Sequence, residues 1–116
     1  MSTREDSGRI PLLQGTLDVL ILRTLLFGKE HGQGIARAIQ ESSNDELLVE
    51  HGALYPALQR LEAKEWIAAE WGVSDNNRKA RFYKLTPAGR KALVQETSKW
   101  RRFSAAIGYV LGPEES

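Results

Sequence analysis

The chain has 116 residues, with 16 Lys and Arg against 15 Asp and Glu, no cysteine and a hydrophobic share of 41%. That is the size of one domain with a single core, and the lack of cysteine excludes a disulfide framework or a thiolate metal site. A net charge of +1 excludes any inference of a polyanionic partner from bulk charge, so only the placement of charge along the chain is informative.

Residues 1–10 are polar, mixed in charge and aperiodic, which predicts a flexible arm. They hold no apolar signal core, so a cytoplasmic protein is expected. The longest apolar run, residues 17–27, is broken by Asp18, Arg23 and Thr24. It falls short of the roughly 20 apolar residues that a membrane span needs, so no membrane partner is expected. Leu13, Leu17, Leu20, Ile21, Leu25 and Leu26 step at three and four, as on a buried helix. Gln14 and Asp18 are the outward exceptions, and Gly28 is the expected stop. Residues 31–34 predict a break. A short amphipathic helix follows on Ile35, Ala36 and Ile39 and ends at Ser42, Ser43 and Asn44. Leu47, Leu48 and Val49 are expected to be extended and to pair at the edge of a later hairpin.

Residues 52–65 carry Leu54, Ala57, Leu58 and Leu61 at the i, i+3, i+4, i+7 spacing of one buried stripe. Gly52, Pro56, Gln59 and Ala63 fall on the opposite face, flanked by Tyr55 and Arg60. Such small and polar groups let a helix approach a flat partner closely. Residues 66–73 and 78–85 are two β-rich runs around the turn Ser74-Asp75-Asn76-Asn77, the pattern of a β-hairpin. Arg78, Lys79, Arg81, Lys84, Arg90 and Lys91 crowd the second half of this hairpin and the residues just beyond it. Thr86 and Pro87 form a helix start, with Thr as N-cap and Pro at the first position. The helix is expected to reach about Leu111 on Ala88, Ala92, Leu93, Thr97, Trp100, Phe103, Ala106, Ile107 and Val110. Its apolar groups outrun what so small a core covers, which predicts burial against a second copy.

The expected fold is mainly α with a small β-hairpin (α+β): a winged helix-turn-helix with a C-terminal dimerisation helix. Its parts are an arm at 1–10, the winged domain at 11–86, the dimerisation helix at 87–112 and a tail at 113–116. A winged helix sets one helix in a DNA groove and the hairpin beside it. Gln59 suits a bidentate base contact, while Tyr55, Arg60 and Lys64 suit phosphate. Gly52 and Ala53 would offer backbone N–H groups at the helix start. Pro56 lies on the same face, and Asn77, Arg78, Lys79 and Arg81 form the wing contacts.

An enzyme is not expected. His31 and His51 stand apart in loops before helices, no nucleophile set or phosphate-cradling loop occurs, and no cofactor or metal is called for. The rival function is a winged-helix module for protein–protein contact without sequence-specific DNA binding. The cations at Arg78, Lys79 and Arg81 speak against it.

Several motifs stand in register: Gly15-Thr16-Leu17, His31-Gly32, Gly52-Ala53-Leu54-Tyr55-Pro56 and Tyr83-Lys84-Leu85-Thr86-Pro87-Ala88-Gly89. Together they resemble the PadR family of winged-helix transcriptional regulators, in its short-tailed subfamily, with departures at His31 and at Glu65, where the family usually has Gly. The resemblance implies a homodimeric repressor that binds a palindromic double-stranded DNA operator and is released by a small-molecule effector. It also implies that Trp100 pairs with its symmetry mate across the dimer, where a planar aromatic effector would stack. Leu12, Gly15, Asp18, Val19 and Ser104 would line that cavity, with Phe103 and Ile107 at the same interface.

Overall fold

The computed structural model describes residues 10–11 and 14–113. The expected arm, apart from Ile10, and the expectations for Leu12 and Leu13 lie outside the described residues. Two-residue strands β1 (Ile10–Pro11) and β3 (Leu47–Leu48) pair in parallel, Ile10 opposite Leu47. This corrects two expectations: Ile10 is a strand residue, and Leu47–Leu48 does not join the hairpin.

Helix α1 (Gln14–Leu25) is the centre of the core, touching each of the other helices. Leu17, Val19, Ile21, Leu22 and Leu25 are buried on it, as a helix buried on more than one side requires. Strand β2 (Glu30–His31) precedes α2 (Gly32–Ser42). Residues 31–34 are therefore a helix start and not a break. His31 is the N-cap, its Nδ1 accepting the Gly34 N–H at 3.1 Å. Imidazole here takes the part usually played by Ser, Thr, Asp or Asn.

Helix α3 (His51–Ala63) buries Leu54, Ala57, Leu58 and Leu61, the stripe read from the sequence. It begins one residue earlier than expected and ends two earlier. Lys64 is its C-cap, and Glu65 has a left-handed backbone with φ of 63°. The Glu65 N–H donates to the Glu62 carbonyl and the Trp66 N–H to the Leu61 carbonyl, which closes a Schellman end.

The wing comprises β4 (Ile67–Val73) and β5 (Lys79–Leu85), antiparallel with Ile67 opposite Leu85 and Val73 opposite Lys79. The third strand of this sheet is β2, with His31 opposite Phe82. Asn77 turns the tip with φ of 60°, a conformation that Asn tolerates better than most residues.

Helix α4 (Pro87–Leu111) starts as predicted, with the Thr86 hydroxyl accepting the Gly89 N–H at 2.9 Å. The same hydroxyl donates to the Glu65 carbonyl at 2.7 Å, and the Thr86 N–H donates to the Trp66 carbonyl at 3.1 Å. Gly89 packs so closely that a Cβ would collide with the Trp66 carbonyl oxygen. The end of α3, both wing strands and the start of α4 thus meet at one knot. Gly89, Ala92 and Leu93 are buried on α4, whereas Ala88, expected to be apolar core, is exposed.

Candidate nucleic-acid interface

The outward face of α3 presents Gly52, Tyr55, Pro56, Gln59 and Ala63, all exposed. Gln59 makes no side-chain hydrogen bond to any described residue, so its amide is free for an external partner. Pro56 lies inside the helix and has no N–H for the carbonyl of the residue four before it, leaving the Gly52 oxygen open on the same face. Tyr55 stands beside the first turn of α2, its hydroxyl 2.7 Å from where a Cβ on Gly32 would sit. Gln33 Nε2 and His51 Nε2 lie 3.1 Å apart, joining the first turns of α2 and α3. The sequence reading did not place Gln33 or His51 at this face, because nothing in their spacing predicts that two helix starts meet. The backbone donors expected at α3 are fewer than predicted. Ala53 N–H already donates to the Glu50 carbonyl at 3.0 Å, as happens where a helix opens with a tight first turn.

The cations divide into two groups. Arg60 Nη2 donates to Asp18 Oδ1 at 2.7 Å and Arg60 Nε to Oδ2 at 3.4 Å, linking α3 to α1. The side chains are 30% and 17% exposed. Arg60 is therefore held inward, and Asp18 is neither an outward residue nor a free carboxylate. Arg81 pairs with Glu62 at 2.8 Å, which fastens the wing to α3 and occupies a second expected phosphate contact. Arg78 is exposed and unpaired with any carboxylate among the described residues. Lys79 lies over the Trp71 ring at 5.2 Å and Lys64 over Trp66 at 4.6 Å. These stacks keep the charge outside while covering the ring. At the base of the wing Lys29 pairs with Glu70 at 2.7 Å. That hydrogen bond, with the lysine charge, holds the Glu70 carboxyl below the usual carboxylate range. Burial pushes the Tyr83 phenol up.

On α4 the stripe of Gly89, Ala92 and Leu93 continues at helical spacing through Glu96, Trp100, Phe103, Ile107 and Val110. Its first part is buried, yet Trp100 is 43%, Phe103 63% and Ile107 41% exposed. A cleft of about 310 Å³ joins α1 to α4 beside Trp100, lined by Gly15, Thr16, Val19, Glu96, Lys99, Trp100 and Phe103. Of the expected cavity residues, Gly15, Val19, Trp100 and Phe103 are brought together. Asp18 faces Arg60 instead, and Ser104 does not line the cleft. The carboxylate at the cleft is Glu96, which the sequence reading missed, and it pairs with Lys99 at 3.2 Å.

The family model for PadR-like transcriptional regulators matches residues 21–95. The chain belongs to the PadR-like family. A PadR-family chain is a regulator of transcription and not an enzyme. It is 32% identical over 99 residues to an uncharacterised protein of Lysinibacillus sphaericus, across 85% of this chain and 91% of that one. A transcriptional regulator of Mycobacterium tuberculosis is 46% identical over 57 residues, 49% of this chain and 52% of that protein. The solved structure of a transcriptional regulator from Clostridium thermocellum superposes with a TM-score of 0.76 at 26% identity, covering 84% of this chain and 95% of that one. No helix among the described residues of the PadR-family chain is long and apolar enough to cross a membrane.

Proposed function

We propose that the chain is a homodimeric repressor that binds a near-palindromic DNA operator through α3 and the wing and is released by a small-molecule effector. The observation that carries this is the outward face of α3. It is made of small and polar groups, free of internal partners at Gln59, and tied by Arg81–Glu62 to a wing whose tip leaves Arg78 uncommitted. Gln59 would read a base edge, Tyr55 and the helix start would meet phosphate, and Arg78 and Lys79 would fix the wing on the adjoining backbone. The bare half of the α4 stripe supports the dimer, because aromatic and aliphatic groups in register with a buried face are stabilised by a second such face. The cleft beside Trp100 is the proposed effector position, completed by the partner's copy. A planar aromatic molecule suits the Trp100 and Phe103 rings that line it.

Exposed Trp71 and Val73 on the wing favour the second reading, a protein-contact module. Fluorescence anisotropy separates the two. A duplex carrying the protein's own upstream region, compared with scrambled DNA across a salt series, should bind specifically and lose affinity steeply with salt. Equal, weak binding to that duplex, to scrambled DNA and to genomic fragments would leave the protein-contact reading. Sedimentation at micromolar concentration should give a dimer, and a monomer would refute the assignment of the stripe.

A further inference from the structure

A groove of about 850 Å³, sharing no lining residue with the Trp100 cleft, lies between the C-terminal end of α1 and α4. Arg23 lines it from α1, Leu26 from the turn that follows, and Arg90, Leu93, Arg101 and Arg102 from α4. No Asp or Glu lines it. Among the described residues, the arginines paired with carboxylates are Arg60 and Arg81, so all four groove guanidiniums lack a counter-charge among those residues. Arg23 only lies over the Phe27 ring at 5.0 Å.

Four like charges around one concavity repel one another, and an anion placed among them removes that repulsion. Guanidinium forks match the paired oxygens of carboxylate and phosphate. Leu93 is core and Leu26 packs against the core, so the wall between the arginines is apolar and favours a ligand with an apolar body. The volume falls within the roughly 300–1,000 Å³ of small-molecule sites. A groove between two helices is too narrow for a DNA duplex, which presents a broad convex surface. We propose that this groove binds a small amphiphile with an anionic head, carboxylate or phosphate, on an apolar body.

The site stands apart from the DNA-binding reading, and its test contains no DNA. Calorimetric titration of the full chain would compare octanoate, octyl phosphate and octyltrimethylammonium, each below its micellar range. One or both anions should bind, at least about tenfold tighter than the cation, since each lost charged hydrogen bond weakens binding by about that factor. The tighter anion identifies the head. Arg90→Gln with Arg101→Gln should weaken anion binding about tenfold or more, while Arg37→Gln, an exposed change on α2 outside the groove, should leave it unchanged. Thermal melts identify any variant that fails to fold, in which case the two single variants replace the double. No anion binding, equal affinity for the cation, or binding unaltered in folded Arg90 and Arg101 variants would overturn the proposal.

Discussion

Replacing Glu65 by glycine should stabilise the protein, although it removes a side chain. Glu65 sits at φ of 63° just after α3, where a residue with a Cβ suffers a clash worth about 1–2 kcal/mol. Glycine escapes the clash but loses about 0.5–1 kcal/mol through its greater freedom in the unfolded chain. The net gain is about 0.5–1 kcal/mol. The hydrogen bonds at this position are made by the backbone: the N–H to Glu62 and the carbonyl from the Thr86 hydroxyl. They survive the change. For 116 residues, an unfolding entropy of about 2.1 cal/mol/K per residue converts the gain into a Tm rise of about 2–4 °C. Glu65→Ala is the control. It also removes a negative charge from a helix C-terminus, a small gain in its own right, but it keeps the Cβ. Thermal melts of both variants by circular dichroism should place Gly above Ala. If Ala equals or exceeds Gly, backbone strain is not the cause and the reasoning fails.

Arg78→Gln with Lys79→Gln should flatten the salt dependence of operator binding by about 1.8 in log–log slope, while Arg81→Gln, whose partner is Glu62, should change it by less than the roughly 0.9 of one contact; a full change of about 0.9 would show that the Arg81 pair opens on DNA. Asp18→Asn should cost about 1–2 kcal/mol, between the values for exposed and buried pairs. A double-mutant cycle with Arg60→Met should return a coupling of about 1 kcal/mol, and a coupling of zero would mean that the 2.7 Å contact is not energetically significant. Tyr83, with its phenol raised by burial, keeps its proton in the folded state at a pH where the unfolded chain loses it. Stability linked to it is therefore full below pH 10.0, the ordinary value, and is lost as pH rises towards the folded-state value. Tyr83→Phe should flatten that alkaline loss in urea titrations, and an unchanged alkaline limb would assign the loss elsewhere.

What could be read from the sequence was whatever repeats at a local period. The stripe on α3 was fully legible because Leu54, Ala57, Leu58 and Leu61 state a helical face without help from the rest of the chain. The start of α4 was equally plain, since Thr86 and Pro87 act within one turn. Pairings between distant segments were not legible. A two-residue strand such as Glu30–His31 has no alternation to detect, and its partners, Tyr83 and Phe82, lie far along the chain. The fate of the cations was hidden for the same reason. Arg60 and Asp18 are 42 residues apart, and composition counts both charges without showing that one occupies the other. The proposed DNA face therefore kept its uncharged members, Gln59, Pro56 and Tyr55, while two of its expected arginines, Arg60 and Arg81, are engaged by carboxylates. Glu65 stood out only through resemblance, as a non-glycine where the family's usual residue suits a left-handed turn.

The knot at Glu65, Trp66, Thr86 and Gly89 gives the molecule a stiff pivot. Helix α4 has 25 residues and so a length of about 37 Å at 1.5 Å per residue. In a dimer joined at the far end of that rod, a swing of about 5° at the pivot would displace that joint relative to α3 by roughly 3 Å, close to one base-pair step of 3.4 Å. The missing Cβ at Gly89 leaves the helix so close to the Trp66 carbonyl that there is little room for such a swing. The rod then acts as a ruler. Spacing between operator half-sites would be measured by a fixed length, and any signal that alters it must bend α4 beyond Leu93, where the helix has left the core.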